Sequence, residues 1–363
     1  MITAQTDFAL NLLRDGEFNS STILSPISIS IALAMVYLGA KENTASQLRN
    51  TFAKDVSEEK IHAHFSSVLN LISSSNLNVT IESANRAYFQ NDFKLLDSYI
   101  EGIKKHYGGE FEEIDFYQAS AAAEKINKFV ATSTHDKIQN LITPDSINDL
   151  TRLVLINAIY FKGEWDIPFE VGYTKDADFF SSPDNTKKVK MMSLSETKFP
   201  YFESNECQIL GLPYKNQQVT MYIILPRERF GLEKLVKNMN ATTLTQILAN
   251  KSSSKVDVKL PRFKIESSFN LVPTLQNLGI TEAFRDGANF GGISEEGNLK
   301  VSDVIHKALI EVTEEGTVAA AATHVGFQNK MLVISKKFTA DHPFLFFIAD
   351  EAQNIYFIGQ HHG

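Results

Sequence analysis

The sequence contains one cysteine, and this scarcity narrows the kinds of protein it can be. Cys207 cannot form a disulfide within the chain. Its neighbours are not basic, so a buried, unreactive thiol is expected. A nucleophile elbow of the Gly-x-Ser-x-Gly type and a phosphate-binding loop are both missing, which argues against a hydrolase. His62 and His64 lack an evident third ligand, so neither a metal nor a cofactor is expected.

Clustered basic charge and long apolar runs are also scarce. The formal net charge is −8 over 363 residues, and no basic stripe is visible in the sequence. We therefore expect no nucleic-acid partner. No apolar run approaches the roughly 18 residues of a membrane span, so no membrane partner is expected. No charged-then-apolar leader precedes Phe8. A cytoplasmic or nucleocytoplasmic location is expected, or an extracellular one if a leader was removed.

The chain shows no linker or charge block that would divide it, which predicts one domain over residues 1–363. Helical patterns dominate the first third and strand patterns the remainder, which is typical of an α+β fold. Ser25 followed by Pro26 predicts a helix start with a capping hydroxyl. Residues 27–38 are apolar almost all round, so this helix should be buried, and Gly39 should end it.

Two strand patterns differ in how they should be buried. Residues 153–161 form a continuous apolar run, which predicts a central strand covered on both faces. Asn157 lies in the middle of this run and must be hydrogen-bonded to a specific partner. Residues 304–312 alternate, and His306 falls on the apolar face. A hairpin is predicted from two further apolar strands, residues 344–348 and 355–358.

A long segment of small, uncharged residues follows this alternating strand. On propensity alone its alanines favour a helix, whereas Gly316 and the neighbouring strands favour an extended segment. In an extended segment the side chains that share one face would all be small enough to be buried between existing strands. These side chains are Thr317, Ala319, Ala321 and Thr323.

This segment is similar to the hinge of inhibitory serpins, in particular of clade B-like intracellular serpins. The hinge residues are Glu314, Glu315, Gly316, Thr317, Ala319, Ala320, Ala321, Ala322 and Thr323. Further stretches resemble the same family in the same order: Leu24-Ser25-Pro26-Ile27-Ser28-Ile29, Asn157-Ala158-Ile159-Tyr160-Phe161-Lys162-Gly163-Glu164-Trp165, Leu260-Pro261-Arg262-Phe263, Leu278-Gly279-Ile280, His306-Lys307-Ala308 and Ala340-Asp341-His342-Pro343-Phe344.

The resemblance implies a fold and a mechanism. The fold would have three β-sheets, about eight or nine helices and an exposed reactive-centre loop at residues 316–331. The chain would be a suicide substrate rather than an enzyme: a serine protease cleaves the loop, which then inserts into the large sheet and traps the acyl-enzyme. The chain departs from the family pattern at Asp136, at Phe129 and at its last residues, 359–363. These positions affect local packing and do not touch the hinge.

The resemblance also predicts the cleaved bond. Serpins usually place it sixteen residues after the glutamate that opens the hinge, which gives Lys330–Met331 and a trypsin-like target. Phe327, Met331 and Leu332 remain alternatives if the loop register is shifted, and they would favour a chymotrypsin-like protease or a cysteine cathepsin.

The resemblance implies that two clusters of side chains control insertion. Ser25, Ser28, Asn157 and His306 resemble the shutter, the cluster beneath the sheet that controls its opening. Trp165, Arg262 and Glu314 resemble the breach, where the loop enters the sheet, and a Glu314–Arg262 ion pair is a hypothesis. The resemblance further implies a monomer that can form loop–sheet polymers. The region around Lys60 to Asn76 lacks the basic cluster of a heparin-binding serpin, so no heparin binding is expected.

Two rival hypotheses remain from the sequence. The first is a non-inhibitory serpin that acts as a carrier or chaperone, and the small, uncharged hinge argues against it. The second is a hydrolase, which the missing nucleophile motif disfavours.

Overall fold

A computed structural model describes residues 1–73, 79–249, 252–317 and 335–363. Within these ranges the helices α1 to α9 are Ile2–Arg14, Pro26–Tyr37, Glu42–Phe52, Glu58–Ser73, Asp97–Tyr107, Ala119–Ser133, Leu232–Asn238, Ala241–Ala249 and Val272–Asn277. Three short 3-10 turns are Pro144–Ser146, Val171–Tyr173 and Glu282–Phe284. None of the helices described here is both long and apolar enough to cross a membrane.

The strands lie mostly in the second half of the chain, as the patterns predicted. In chain order, β1 to β15 are Thr22–Leu24, Thr80–Gln90, Phe111–Ile114, Leu153–Glu164, Lys175–Ser182, Asn185–Glu203, Cys207–Pro213, Val219–Pro226, Ser253–Pro261, Phe263–Asn270, Val301–Val312, Gly316–Thr317, Lys336–Thr339, Phe344–Asp350 and Ile355–His361. The predicted hairpin is present, because β14 and β15 pair antiparallel.

The strands form two hydrogen-bonded networks. One network has the order β10-β11-β4-β2-β3, and β12 pairs with the end of β4. The other has the order β1-β15-β14-β8-β7-β6-β9-β13, and β5 pairs with β6. The 19-residue strand β6 joins two parts of this second network, since its residues 185–200 pair with β5 and then β9 and its last three pair with β7. The predicted α+β fold with three sheets is confirmed, with two of the sheets continuous through β6.

Strand β4 is the central strand that the apolar run predicted. Its first nine residues are all buried. Side chains such as Leu155 and Ile159 face the main core, and Ile156 and Tyr160 face a second core beneath helix α6. Both faces are therefore covered, which is why the run shows no polar alternation.

Helix α2 runs through the main core. All twelve of its residues are buried, which agrees with the prediction from its apolar composition. Ser25 occupies the N-cap position and Pro26 the first turn, but the expected capping by the Ser25 hydroxyl is wrong. That hydroxyl donates instead to the Tyr356 carbonyl at 2.7 Å, so it connects α2 to β15.

Candidate functional site

Strands β4 and β11 lie side by side and parallel in the six-stranded network. Their register runs from Val304 opposite Leu155 to Leu309 opposite Tyr160. Parallel pairing is slightly less stable per residue than antiparallel pairing. The two central strands of this sheet are therefore held together by the less stable type of pairing.

The hinge begins at the end of this central pair. After β11 the chain turns at Thr313, whose N–H donates to the Gly316 carbonyl at 2.7 Å. β12 then pairs antiparallel with β4, so that Gly316 lies opposite Glu164 and Thr317 opposite Gly163. The first two residues of the hinge strand are thus already added to β4.

Gly316 must be glycine for this arrangement. Its φ is +131°, and a Cβ atom there would lie 2.2 Å from the Gly163 carbonyl oxygen. A larger residue would have to abandon the pairing with β4 or force the two strands apart.

Trp165 holds the same turn from the side of β4. Its indole N–H donates to the Thr313 carbonyl at 3.0 Å, and its backbone N–H donates to the Glu315 carbonyl at 3.0 Å. The indole is buried and stacks on Tyr214 with ring centroids 4.5 Å apart. The Phe169 N–H donates to the Glu314 carbonyl at 2.7 Å. The backbone of the hinge start is therefore fixed by groups that follow β4.

Glu314 is buried although it is an acid. Its side chain is 7% exposed, and one carboxylate oxygen accepts the Thr174 hydroxyl at 2.8 Å. The other lies 3.9 Å from Arg262, whose side chain is 52% exposed. The predicted Glu314–Arg262 contact is thus present, and because Arg262 is largely hydrated, it is a weak ion pair. The breach residues Trp165, Arg262 and Glu314 lie together around the turn.

The shutter residues also lie together, beneath β4 and β11. The His306 Nε2 atom accepts the Ser25 backbone N–H at 3.2 Å. That nitrogen therefore carries no proton, and Nδ1–H donates to the Asn157 side-chain carbonyl. The Asn157 amide donates to Ser28 and to Asn85, and Ser28 donates to Asn85 at 2.8 Å.

These bonds form one directed chain of neutral groups. Complete burial lowers the pKa of His306 to about 3, so the ring is neutral at ordinary pH. As predicted, the Asn157 amide is hydrogen-bonded. The chain connects helix α2 to three adjacent strands, β2, β4 and β11, which fixes their spacing.

Sequence reasoning missed several members of both groups. Asn85 accepts two hydrogen bonds in the shutter but was not predicted. Thr174 and Tyr214 contact the breach and were missed as well. Asn85 reaches the shutter only because β2 pairs with β4, which places it opposite Asn157. Thr174 and Tyr214 reach the breach only through tertiary folding.

Lys330 and Met331 lie outside the described residues. So do five hinge residues, Ala319, Ala320, Ala321, Ala322 and Thr323. Within the described ranges, no group of three or more histidine, cysteine, aspartate or glutamate side chains is arranged to hold a metal ion.

Comparisons with known proteins agree with this geometry. Residues 3–362 match the family model described as serpin, serine protease inhibitor. The leukocyte elastase inhibitor of Equus caballus is 39% identical over 372 residues, covering 99% of this chain and 98% of the relative. Serpin B6 of Pongo abelii is 40% identical over 367 residues, covering 98% and 97%.

Solved structures agree with the sequence relatives. Serpin48, described as a highly specific serpin in the insect Tenebrio molitor, superposes with a TM-score of 0.89 at 32% identity, covering 100% of this chain and 97% of that one. The family match spans nearly the whole chain, and the relatives are similar along their full length. The chain therefore belongs to the serpin family of serine protease inhibitors.

Proposed function

We propose that this chain inhibits serine proteases as a suicide substrate, and that cleavage at Lys330–Met331 releases the loop for insertion between β4 and β11. The arrangement of β12 carries this proposal. It runs antiparallel to β4 at the end of the central pair, while β11 and β4 pair directly with each other below it. Direct pairing of β4 and β11 is expected of a sheet into which the loop has not inserted. The first two residues of the inserting strand, Gly316 and Thr317, already pair with β4.

Extending the β12 register along β4 shows how insertion would proceed. Gly316 lies opposite Glu164, so the same register would place Thr323 opposite Asn157, at the shutter. The inserted strand would run antiparallel to both β4 and β11. It would replace one parallel pairing with two antiparallel ones, which are the more stable type. About a dozen new backbone hydrogen bonds, at ~0.5–1.5 kcal/mol each, give on the order of ten kcal/mol.

The small hinge residues fit the two cores on either side of β4. In the extended register Ala319 would share a face with Phe161, which points into the main core. Ala320 would share the opposite face with Tyr160, beneath helix α6. Methyl side chains could enter both layers with little displacement, whereas charged side chains would have to be buried without partners. This is the reason for preferring an inhibitor over a carrier or chaperone.

The chemistry before insertion is that of the protease. The active-site serine hydroxyl attacks the carbonyl carbon of Lys330, and the bond to the Met331 nitrogen breaks to leave an acyl-enzyme and a free amine. Insertion along the twelve residues of β4 would carry the acyl bond roughly 40 Å at ~3.3 Å per residue. Movement on this scale would distort the protease before water can hydrolyse the ester.

The residue at the cleaved bond determines which protease the chain would inhibit. Lys330 suits a trypsin-like pocket with an acid at its base. Cleavage beside Phe327, Met331 or Leu332 would instead favour a chymotrypsin-like protease or a cysteine cathepsin. We propose that the chain acts as a single domain over residues 1–363 and as a monomer, that a loop from a second copy could form loop–sheet polymers, and that its location is cytoplasmic or nucleocytoplasmic.

Mixing with trypsin tests the inhibitor proposal. We expect a covalent complex that survives SDS, together with the released fragment that begins at Met331, identified by mass spectrometry. Cleavage at Lys330 without a complex would contradict trapping, and cleavage elsewhere would contradict the assigned bond.

Two variants separate the steps. Thr317→Arg places a charge at the start of the inserting strand, so we expect cleavage without trapping. Lys330→Glu should abolish reaction with trypsin but leave insertion intact after cleavage by a protease of different specificity. Insertion is measured in both cases as the increase in melting temperature that follows cleavage.

A further inference from the structure

A cluster of lysines lies on the open face of the sheet that receives the C-terminal end of the reactive loop. Lys198 is on β6, Lys255 and Lys259 are on β9, and Lys337 is on β13. The residues that alternate with them, such as Phe199, are buried, so the lysines share the outer face. We call these four lysines the basic face. Three of the four are exposed, and Lys255 is half-buried.

The pairing of the strands brings like charges together. Lys198 lies directly opposite Lys255 in the antiparallel pair of β6 and β9. Like charges at directly opposed positions destabilise a sheet. Among the residues that the structure describes, none of the four lysines makes an ion pair. The arrangement therefore works against stability, and a partner of opposite charge would relieve it.

Lysines elsewhere on the same strand are arranged differently. Lys188 pairs with Asp178 at 2.8 Å, and Lys190 pairs with Asp176 at 2.9 Å, both across β5 and β6. Lys190 and Lys198 are eight residues apart, or roughly 26 Å along an extended strand. Lys188 and Lys190 thus have acidic partners on the neighbouring strand, whereas Lys198 lies opposite another lysine.

Acidic groups near the basic face offset only part of its charge. Asp257 lies opposite Lys337, and one of its carboxylate oxygens accepts the Glu196 N–H at 2.8 Å. Glu203 is held by Lys336 at 2.6 Å and by Arg227 at 2.6 Å. The face keeps four lysines against the two carboxylates of Asp257 and Glu196, on a protein whose net charge is −8.

The basic face is also close to the proposed cleavage site along the chain. Lys330 lies six positions before Lys336, the first residue of β13, so the two Cα atoms are at most about 21 Å apart. A protease bound at Lys330 is therefore tethered within about 21 Å of the sheet that carries the basic face.

We infer that the basic face is a docking surface for an acidic patch on the target protease. This inference rests on the proposed function, and it adds a charge requirement to the preference for cleavage at Lys330. Complementary charge around the docking site speeds encounter and selects among proteases with the same cleavage preference. The lysines act on association, and they take no part in loop insertion.

Two trypsin isoforms, one anionic and one cationic, test the inference because they share a cleavage preference and differ in surface charge. The measured quantity is the second-order rate constant for loss of intact chain, which is defined for trapping and for simple cleavage alike. We expect the wild type to favour the anionic isoform. Lys198→Gln with Lys255→Gln should reduce that preference about tenfold. Added salt should reduce it as well.

The matched control is Lys188→Gln with Lys190→Gln, which makes the same change in net charge at the other end of β6, the strand that carries Lys198. It should keep the wild-type preference. An equal loss in both double variants, or no preference in the wild type, would overturn the inference. Heparin is the second probe: if it speeds inhibition by the wild type but not by the Lys198/Lys255 variant, the face binds a polyanion and the protease assignment is wrong. Loss of trapping with an unchanged isoform preference would count against the proposed function and not against the docking surface.

Discussion

Protonation of His306 should weaken the folded protein in mild acid. The ring is buried, and its pKa is lowered to about 3, whereas an unfolded histidine titrates near 6.5. Between these values the unfolded chain binds more protons than the folded one. Stability from this residue is therefore complete above about pH 6.5 and is lost as the pH falls toward 3. For a fall from about pH 7 to about pH 5, linkage gives a loss of about 2 kcal/mol in the free energy of unfolding.

The assay compares urea unfolding, followed by circular dichroism, at these two pH values. Other buried histidines contribute too, since burial also lowers the pKa of His62 to about 4 and that of His361 to about 3. The difference between the wild type and His306→Gln removes their contribution, because glutamine does not titrate. We expect this difference to change by about 2 kcal/mol between the two conditions.

A second variant separates titration from damage to the hydrogen-bond chain. Ser28→Ala removes two shutter hydrogen bonds, one to Asn85 and one from Asn157, and adds no titrating group, so it should lower stability by about 1–3 kcal/mol at both pH values. If His306→Gln and the wild type lose stability in parallel between pH 7 and pH 5, the neutral ring in the shutter is refuted.

Three further predictions concern the two ends of the loop. Gly316→Ala should lower the free energy of unfolding by about 1–3 kcal/mol, because its Cβ would meet a β4 carbonyl oxygen; thermal unfolding would show this, and an unchanged melting temperature would contradict it. Glu314→Lys should speed polymerisation on mild heating, and adding Arg262→Glu should slow it again; no recovery in native gels would mean that the contact has no influence. Glu203→Gln removes the carboxylate that holds Lys336, so hydrogen exchange in β13 should rise by no more than about fivefold, as expected for an exposed pair worth under about 1 kcal/mol.

The sequence predicted elements whose signals are local. Residues 153–161 are uninterrupted and apolar because β4 is covered on both faces, and this composition can be read directly. The buried helix α2 was predicted for the same reason. Ser25 shows the limit of a local pattern. It precedes a proline as a capping residue does, yet a distant strand offers its hydroxyl a better acceptor.

Features built from distant parts of the chain could not be predicted. Asn85 joins the shutter only because β2 pairs with β4, and the register of that pair is a property of the folded sheet. The basic face combines lysines from three strands that span 140 positions of sequence, from Lys198 to Lys337. A scan for basic stripes finds nothing there, since each strand contributes only one or two of the four lysines.

The uncharged shutter allows the encounter with the protease to be separated experimentally from the opening of the sheet. All of its members are uncharged, including His306, so ions in solution have no charge to screen at the seam between β4 and β11. The basic face is the opposite case, because three of its four lysines are exposed and none makes an ion pair within the part of the chain that the structure describes. Ionic strength should therefore change the rate at which protease and loop meet, and leave the contribution of the shutter to sheet opening unchanged.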